Sequence, residues 1–209
     1  MNIINSLQWR YACKKFDDKK LVSEEKIDIL KETFNLTATS FGLQPIKMGI
    51  LKNKEVQKQL VAHSFGQQQV ANASHILVIC IDEDTTLQDI DDYFDSEKEI
   101  RGTSEEVIAS FRKFLKDSYA DKSLEEKQQS AIYQAYIALG NLMTVCAVEQ
   151  IDACPMEGFI PEKIDEVLKL GKRKLKSVLL LPIGYRAKDD FMSKLKKVRK
   201  PITETVINL

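Results

Sequence analysis

Apolar residues recur every three or four positions from Ile27 through Leu30 to Phe34, a spacing that predicts a helix over 23–36. Ser23 stands before it as a cap, and Glu24 and Glu25 suit the positive end of the helix dipole. A short helix over 2–9 comes earlier. The same spacing returns over 53–63, through Val56, Leu60 and Val61, and over 104–119, through Val107, Ile108, Phe111, Phe114 and Leu115. The acidic stretch 84–101 reads as an exposed helix. The longest helix, 124–149, turns apolar around much of its circumference after Ile132, so it must be covered on several faces. Pro161 opens a last helix, with Gly171 its expected left-handed stop.

Strands fall between these helices. Positions 47–52 and 75–81 are β-rich, the second apolar on both faces and therefore central. The apolar run 177–183 is a third strand, and 153–156 a short fourth. Strands interleaved with helices imply an α+β fold, a central sheet flanked by helices. No linker or repeat interrupts the pattern, so 1–209 reads as a single domain.

Composition narrows the function without naming it. The 31 basic and 31 acidic residues cancel, which leaves no global field to attract nucleic acid or a membrane surface. No apolar run approaches the ~18 residues of a membrane span, and the N-terminus lacks a secretory pattern. Cys13, Cys80, Cys146 and Cys154 are scattered, which fits a reduced, cytoplasmic protein. Cys146 and Cys154 are close enough in sequence to raise thiol redox chemistry, although a cysteine in an apolar run is usually a small buried hydrophobe. His63 and His75 have no carboxylate or cysteine at ligand spacing, so no metal site is expected.

Two basic clusters sit at opposite ends of the chain, Arg10-Tyr11-Ala12-Cys13-Lys14-Lys15-Phe16-Asp17 and Lys197-Val198-Arg199-Lys200-Pro201. Charge runs are commonly solvated surface, yet several cations brought together also suit a phosphate. A third stretch, Ala153-Cys154-Pro155-Met156-Glu157-Gly158-Phe159, ends a strand in Pro and then bends at Gly, a turn that can present amides to a planar acceptor.

Taken in order, these stretches, Ser40-x-x-x-Gln44-Pro45, Asn72-Ala73-Ser74-His75 and Gly140-Asn141 resemble the FMN-dependent nitroreductase family, in the branch of oxygen-insensitive nitroreductases and dihydropteridine reductases. The resemblance spans essentially the whole chain. It implies an intertwined homodimer with two FMN molecules at the subunit interface. It also implies ping-pong transfer of hydride from NADH or NADPH to the flavin, then of electrons to a nitroaromatic, quinone or pterin.

By position the resemblance assigns Arg10 to the FMN phosphate, with Lys197 and Arg199 beside it, and Lys14 to the N1/O2 side of the ring. Tyr11 and Ala12 belong to the same flavin-contacting motif. The amides of Glu157 and Gly158 match those approaching N5 and O4, with Pro155 and Met156 against the ring. Thr39 and Ser40 match a pair that reaches the flavin from the other subunit. Gly66, Gln67 and Gln69 fall in a further cofactor-contacting segment. Phe41, Phe65, Phe114 and Leu115 are expected to border a substrate channel, and Phe111 to be plain core. A lysine near N1/O2 would stabilise the negative charge of reduced flavin, so no protein acid–base pair is needed.

Four positions depart from the family pattern. Ala12 replaces a hydroxyl residue, Gly66 an asparagine, Gln69 a lysine and Ile46 a tryptophan. Together they make the ring's surroundings less cationic. The changes at Ala12, Gly66 and Gln69 also motivate a second reading, a flavin-binding protein with little turnover, acting in storage or sensing.

Overall fold

The computed structural model describes residues 2–209. Asn2 caps α1 (Ile3–Trp9) by accepting from the Ile4 amide, and Ser23 caps α2 (Glu24–Asn35) by accepting from the Lys26 amide. Next come β1 (Ile46–Leu51), α3 (Lys54–His63), the single turn α4 (Gln69–Asn72) and β2 (His75–Asp82). α5 (Leu87–Arg101) and α6 (Glu105–Ala120) form a hairpin, with Gly102 in the left-handed conformation at the end of α5. The rest is α7 (Leu124–Val148), β3 (Asp152–Ala153), α8 (Pro161–Leu168), β4 (Leu175–Gly184) and α9 (Ile202–Thr205).

The strands form one sheet in the order β1-β2-β4-β3, antiparallel throughout. Side chains alternate across a strand, and β2 divides accordingly. Leu77, Ile79 and Ile81 join the core beneath α2 and α7, while Ile76, Val78 and Cys80 join a second core beneath α3 and α8. The sheet is thus buried on both faces, as the unbroken apolar run of β2 requires. Ile90, Phe94, Ile108, Leu115 and Tyr119 make a separate small core between α5 and α6.

Four expectations need correction. Gly171 does not stop α8. Lys169 takes the left-handed position at φ 56°, and Gly171 lies inside the 3-10 turn Leu170–Arg173, which tucks Leu170 into the core. The 84–101 helix is not wholly exposed, because Ile90 and Phe94 are fully buried against α6. Of the expected fourth strand, 153–156, only Ala153 stays in the ladder, with Asp152 before it. Pro155 has no amide to donate, and the chain rejoins the sheet through a Met156–Leu180 bridge. Finally, α7 is long and apolar enough to cross a membrane, yet its Ala131, Ala135, Ala138, Leu142 and Cys146 stripe packs on the sheet.

The opposite side of α7 remains uncovered. Tyr133, Tyr136, Ile137 and Val148 are exposed there, as are Ile3, Ile4 and Leu7 on the adjoining α1.

Candidate functional site

Asp190, a residue that the sequence reading missed, holds the N-terminal basic segment in place. Its carboxylate is buried and accepts from the Tyr11 hydroxyl at 3.1 Å, the Cys13 thiol at 3.4 Å, and the Lys14 and Lys15 amides at 3.0 and 3.3 Å. The Met192 amide donates to its other oxygen at 3.1 Å. Burial acts against the charged carboxylate, but these donors win and hold its pKa below the ordinary value. Nothing in the sequence pairs a carboxylate at 190 with amides at 14 and 15; only the return of the chain after β4 does.

Because the folded-state pKa is lowered, Asp190 stabilises the fold above the ordinary carboxylate pKa, and that contribution is lost as pH falls through the folded value. Asp190→Asn should cost about 3 kcal/mol at neutral pH, and the deficit should shrink below about pH 4. Urea melts of both proteins from pH 7 to pH 3 measure this; a deficit independent of pH would refute it.

Above this anchor the cations gather. Arg10, Lys197 and Arg199 line one hollow of about 490 Å³ with Tyr11 and Ala12. Lys197 Nζ donates to the Arg10 carbonyl, which ties the tail to the end of α1. Burial, then repulsion from Arg199, lowers the Arg10 pKa; burial, then Arg10 and Arg199, lowers that of Lys197. None of Arg10, Lys14, Lys197 and Arg199 forms an ion pair among the described residues, whereas Lys15 pairs with Asp189 and Arg186 with Asp152. Like charges held together without a carboxylate form a site for an anion.

A second set of contacts brings Lys14, Gln67, Gln69 and Gly158 together. Lys14 Nζ lies 3.8 Å from the buried Cys154 sulfur, and Gln69 Nε2 lies 3.9 Å from the same atom. Gln69 also donates to Gln67 Oε1 at 2.8 Å, and Gln67 donates to the Gly158 carbonyl at 2.9 Å. The bend after Pro155 is held from both sides, since Phe159 N donates to the Glu157 carbonyl and Ile160 N to that of His63. Among the described residues no protein acceptor engages the Glu157 or Gly158 amides. A side chain at 158 would put its Cβ 3.0 Å from Gln67 Nε2, so glycine keeps this approach open. Met156 is buried, and Pro155 and Met156 face Leu139 and Met143 of α7 across a small apolar hollow. The Glu157 carboxylate lies beside the Tyr136 hydroxyl.

Phe65 and Gly66 turn left-handed at φ 52° and 74°, which accounts for a glycine at 66, and the exposed Phe65 ring lies against Gly158. Ala12 bridges to Ala153, so the missing hydroxyl stands at a backbone crossing. Ile46 is buried in β1 opposite Ile81.

Thr39 and Ser40 do not join this cluster within one chain. The Ser40 amide donates to Gln134 on α7, whereas Arg10 lies near Cys146, twelve residues further along, roughly 18 Å at the helical rise. Phe41 and Phe114 belong to an aromatic group with Phe94 and Phe111 on the α5–α6 hairpin. Phe111 is not plain core: it is 44% exposed and joins Phe41 to Phe114. Leu115 is the contrary case. It is fully buried in the small α5–α6 core and cannot border a channel, because its neighbour Phe114 takes the outward position. Cys146 and Cys154 fall in separate cores, and burial raises both pKa values, that of Cys146 to about 12, so they make no redox pair.

Comparison with known proteins gives the family and the fold. The Nitroreductase family model matches residues 7–185. A Staphylococcus aureus protein provisionally named an NAD(P)H nitroreductase is 30% identical, over 98% of this chain and 95% of its own. A Bacillus subtilis structure provisionally named a nitroreductase superimposes with a TM-score of 0.87 at 21% identity, covering 99% of this chain and 98% of the other. A structure from Exiguobacterium sibiricum, determined in complex with FMN, gives 0.84 at 20% identity, over 100% and 98%. The family match over most of the chain and the shared fold settle the class: this chain belongs to the nitroreductase family of oxidoreductases.

Proposed function

We propose that this chain is an FMN-dependent NAD(P)H oxidoreductase. The observation that carries the reading is the group of Arg10, Lys197 and Arg199, which line one hollow without an ion-pairing carboxylate; Lys14 and the unengaged Glu157 and Gly158 amides would form the rest of the site. These residues fit FMN: the three cations would hold its phosphate, Lys14 its N1/O2 side, and the Glu157 and Gly158 amides its N5 and O4 edge. When bound, FMN supplies two-electron chemistry, taking hydride from NADH or NADPH and returning electrons to an acceptor. The protein supplies charge and orientation. Lys14 is free of carboxylates, so its charge is available to the ring, and Gln67 and Gln69 hold the Gly158 bend against Cys154. Nitroaromatics, quinones and pterins are the acceptor classes, reached by ping-pong exchange through one shared pocket near Phe65 of one copy and Phe41 and Phe114 of the other.

Two copies complete this site. The exposed apolar face of α7 and α1 needs cover, and Leu195, Val198, Ile202, Val206 and Ile207 of the tail are also exposed. Ser40 lies far along α7 from Arg10, as expected if Thr39 and Ser40 serve the partner's flavin. The four thiols are free, and the proposed compartment is the cytoplasm.

An absorbance spectrum before and after anaerobic NADH or NADPH tests the reading. Flavin bands should be present and should bleach, and the protein should sediment as a dimer. Bands that persist would instead support the storage or sensing reading, which the neutral Gln69 at a lysine position favours. A colourless protein that takes up no FMN would overturn both.

A further inference from the structure

Arg186 lies just beyond the residues matched by the family and has no assigned part in the site. Its backbone amide donates to Asp152 Oδ2 at 2.7 Å and its Nε to Oδ1 at 2.8 Å, so the buried Asp152 holds both ends of the residue. The guanidinium carbon lies 4.2 Å from the centre of the Trp9 ring and 4.5 Å from that of Tyr11. These rings flank Arg10 in sequence. Arg10 follows α1 in polyproline-like extended backbone, with φ −69° and ψ 146°, and the rings on either side of it both meet the one guanidinium. A planar, always-charged guanidinium can stack on both rings at once, which a lysine ammonium cannot do.

We propose that Arg186 is a positioning residue for the phosphate grip: it clamps Trp9 and Tyr11 and so directs Arg10 toward Lys197 and Arg199. Arg186 is paired with Asp152 and stacked on the two rings, so its part is assigned through Arg10 rather than as a further phosphate ligand, although its charge reaches Lys197. Tyr11 is held a second time by Asp190, which leaves Trp9 as the ring fastened chiefly by Arg186. The inference rests on the FMN reading and deepens it. The plain alternative is that the Arg186–Asp152 pair only fastens the end of β4 to β3.

The two roles separate by ligand, because riboflavin has the ring of FMN and no phosphate. Affinities for FMN and riboflavin are measured by fluorescence titration for the wild type, Arg186→Lys and Trp9→Leu. Both variants should bind FMN about tenfold more weakly and riboflavin within twofold of wild type. Trp9 is the only tryptophan, so its emission should also change in Arg186→Lys. If both flavins weaken equally, or the FMN-to-riboflavin ratio holds in both variants, the positioning role is overturned. Should Arg186→Lys fail to fold, Trp9→Leu decides, since it leaves the Arg186–Asp152 pair intact. A wild type that binds FMN no better than riboflavin would remove the phosphate site itself, and the inference with it.

Discussion

Replacing Arg10 and Arg199 together with alanine should weaken FMN binding by about a hundredfold or more, while the protein without cofactor melts no lower than wild type. Each charge-assisted contact to a phosphate is worth about 1.5–3 kcal/mol, and the exposure of Arg199 puts this pair near the low end, about 3 kcal/mol in all. That corresponds to roughly a hundredfold. The stability half of the prediction follows from charge. Arg10 and Arg199 repel each other and have no carboxylate partner, so removing them takes strain out of the empty protein. Titration of flavin fluorescence and a thermal melt of the same sample measure both halves. Unchanged FMN affinity would end the phosphate assignment, and a large drop in melting temperature would mean that the two arginines are structural.

Lys14→Ala should slow reduction of the bound flavin by NADH or NADPH by about a hundredfold while weakening FMN binding less than tenfold. The asymmetry follows from when the charge is needed. A cation at that edge would meet little charge on an oxidised ring and would stabilise the negative charge of a reduced one, so Lys14 would act mainly on the rate. The Lys14 backbone amide is fixed by Asp190 and its ammonium rests against Cys154, so the charge is held in place before the reaction. Anaerobic stopped-flow reduction at saturating FMN separates rate from binding. Equal losses in both, or no loss of rate, would remove Lys14 from this role.

Most elements were legible because their signals are local. Ser23 with its glutamates, the apolar run of β2 and Pro161 at the first turn of α8 each act within a few residues, and the structure agrees with each. The errors occurred where a distant contact overrode local preference. Leu170 is drawn into the core and moves the helix stop from Gly171 to Lys169, and the α5–α6 core claims Leu115 while Phe114 stays outside.

The site divides in the same way. Sequence alone determined the helices and strands, the residue types of the basic clusters and the bend at 155–159, since periodicity, capping and proline chemistry are short-range. Only tertiary structure decided that Arg10 meets Lys197 and Arg199, that Asp190 anchors the first motif, that Asp152 pairs with Arg186, and that Gln69 ties Cys154 to Gln67. Those partners are up to 187 residues apart. The folded sheet, not the order of the chain, determines which charges stay paired and which remain free for a ligand.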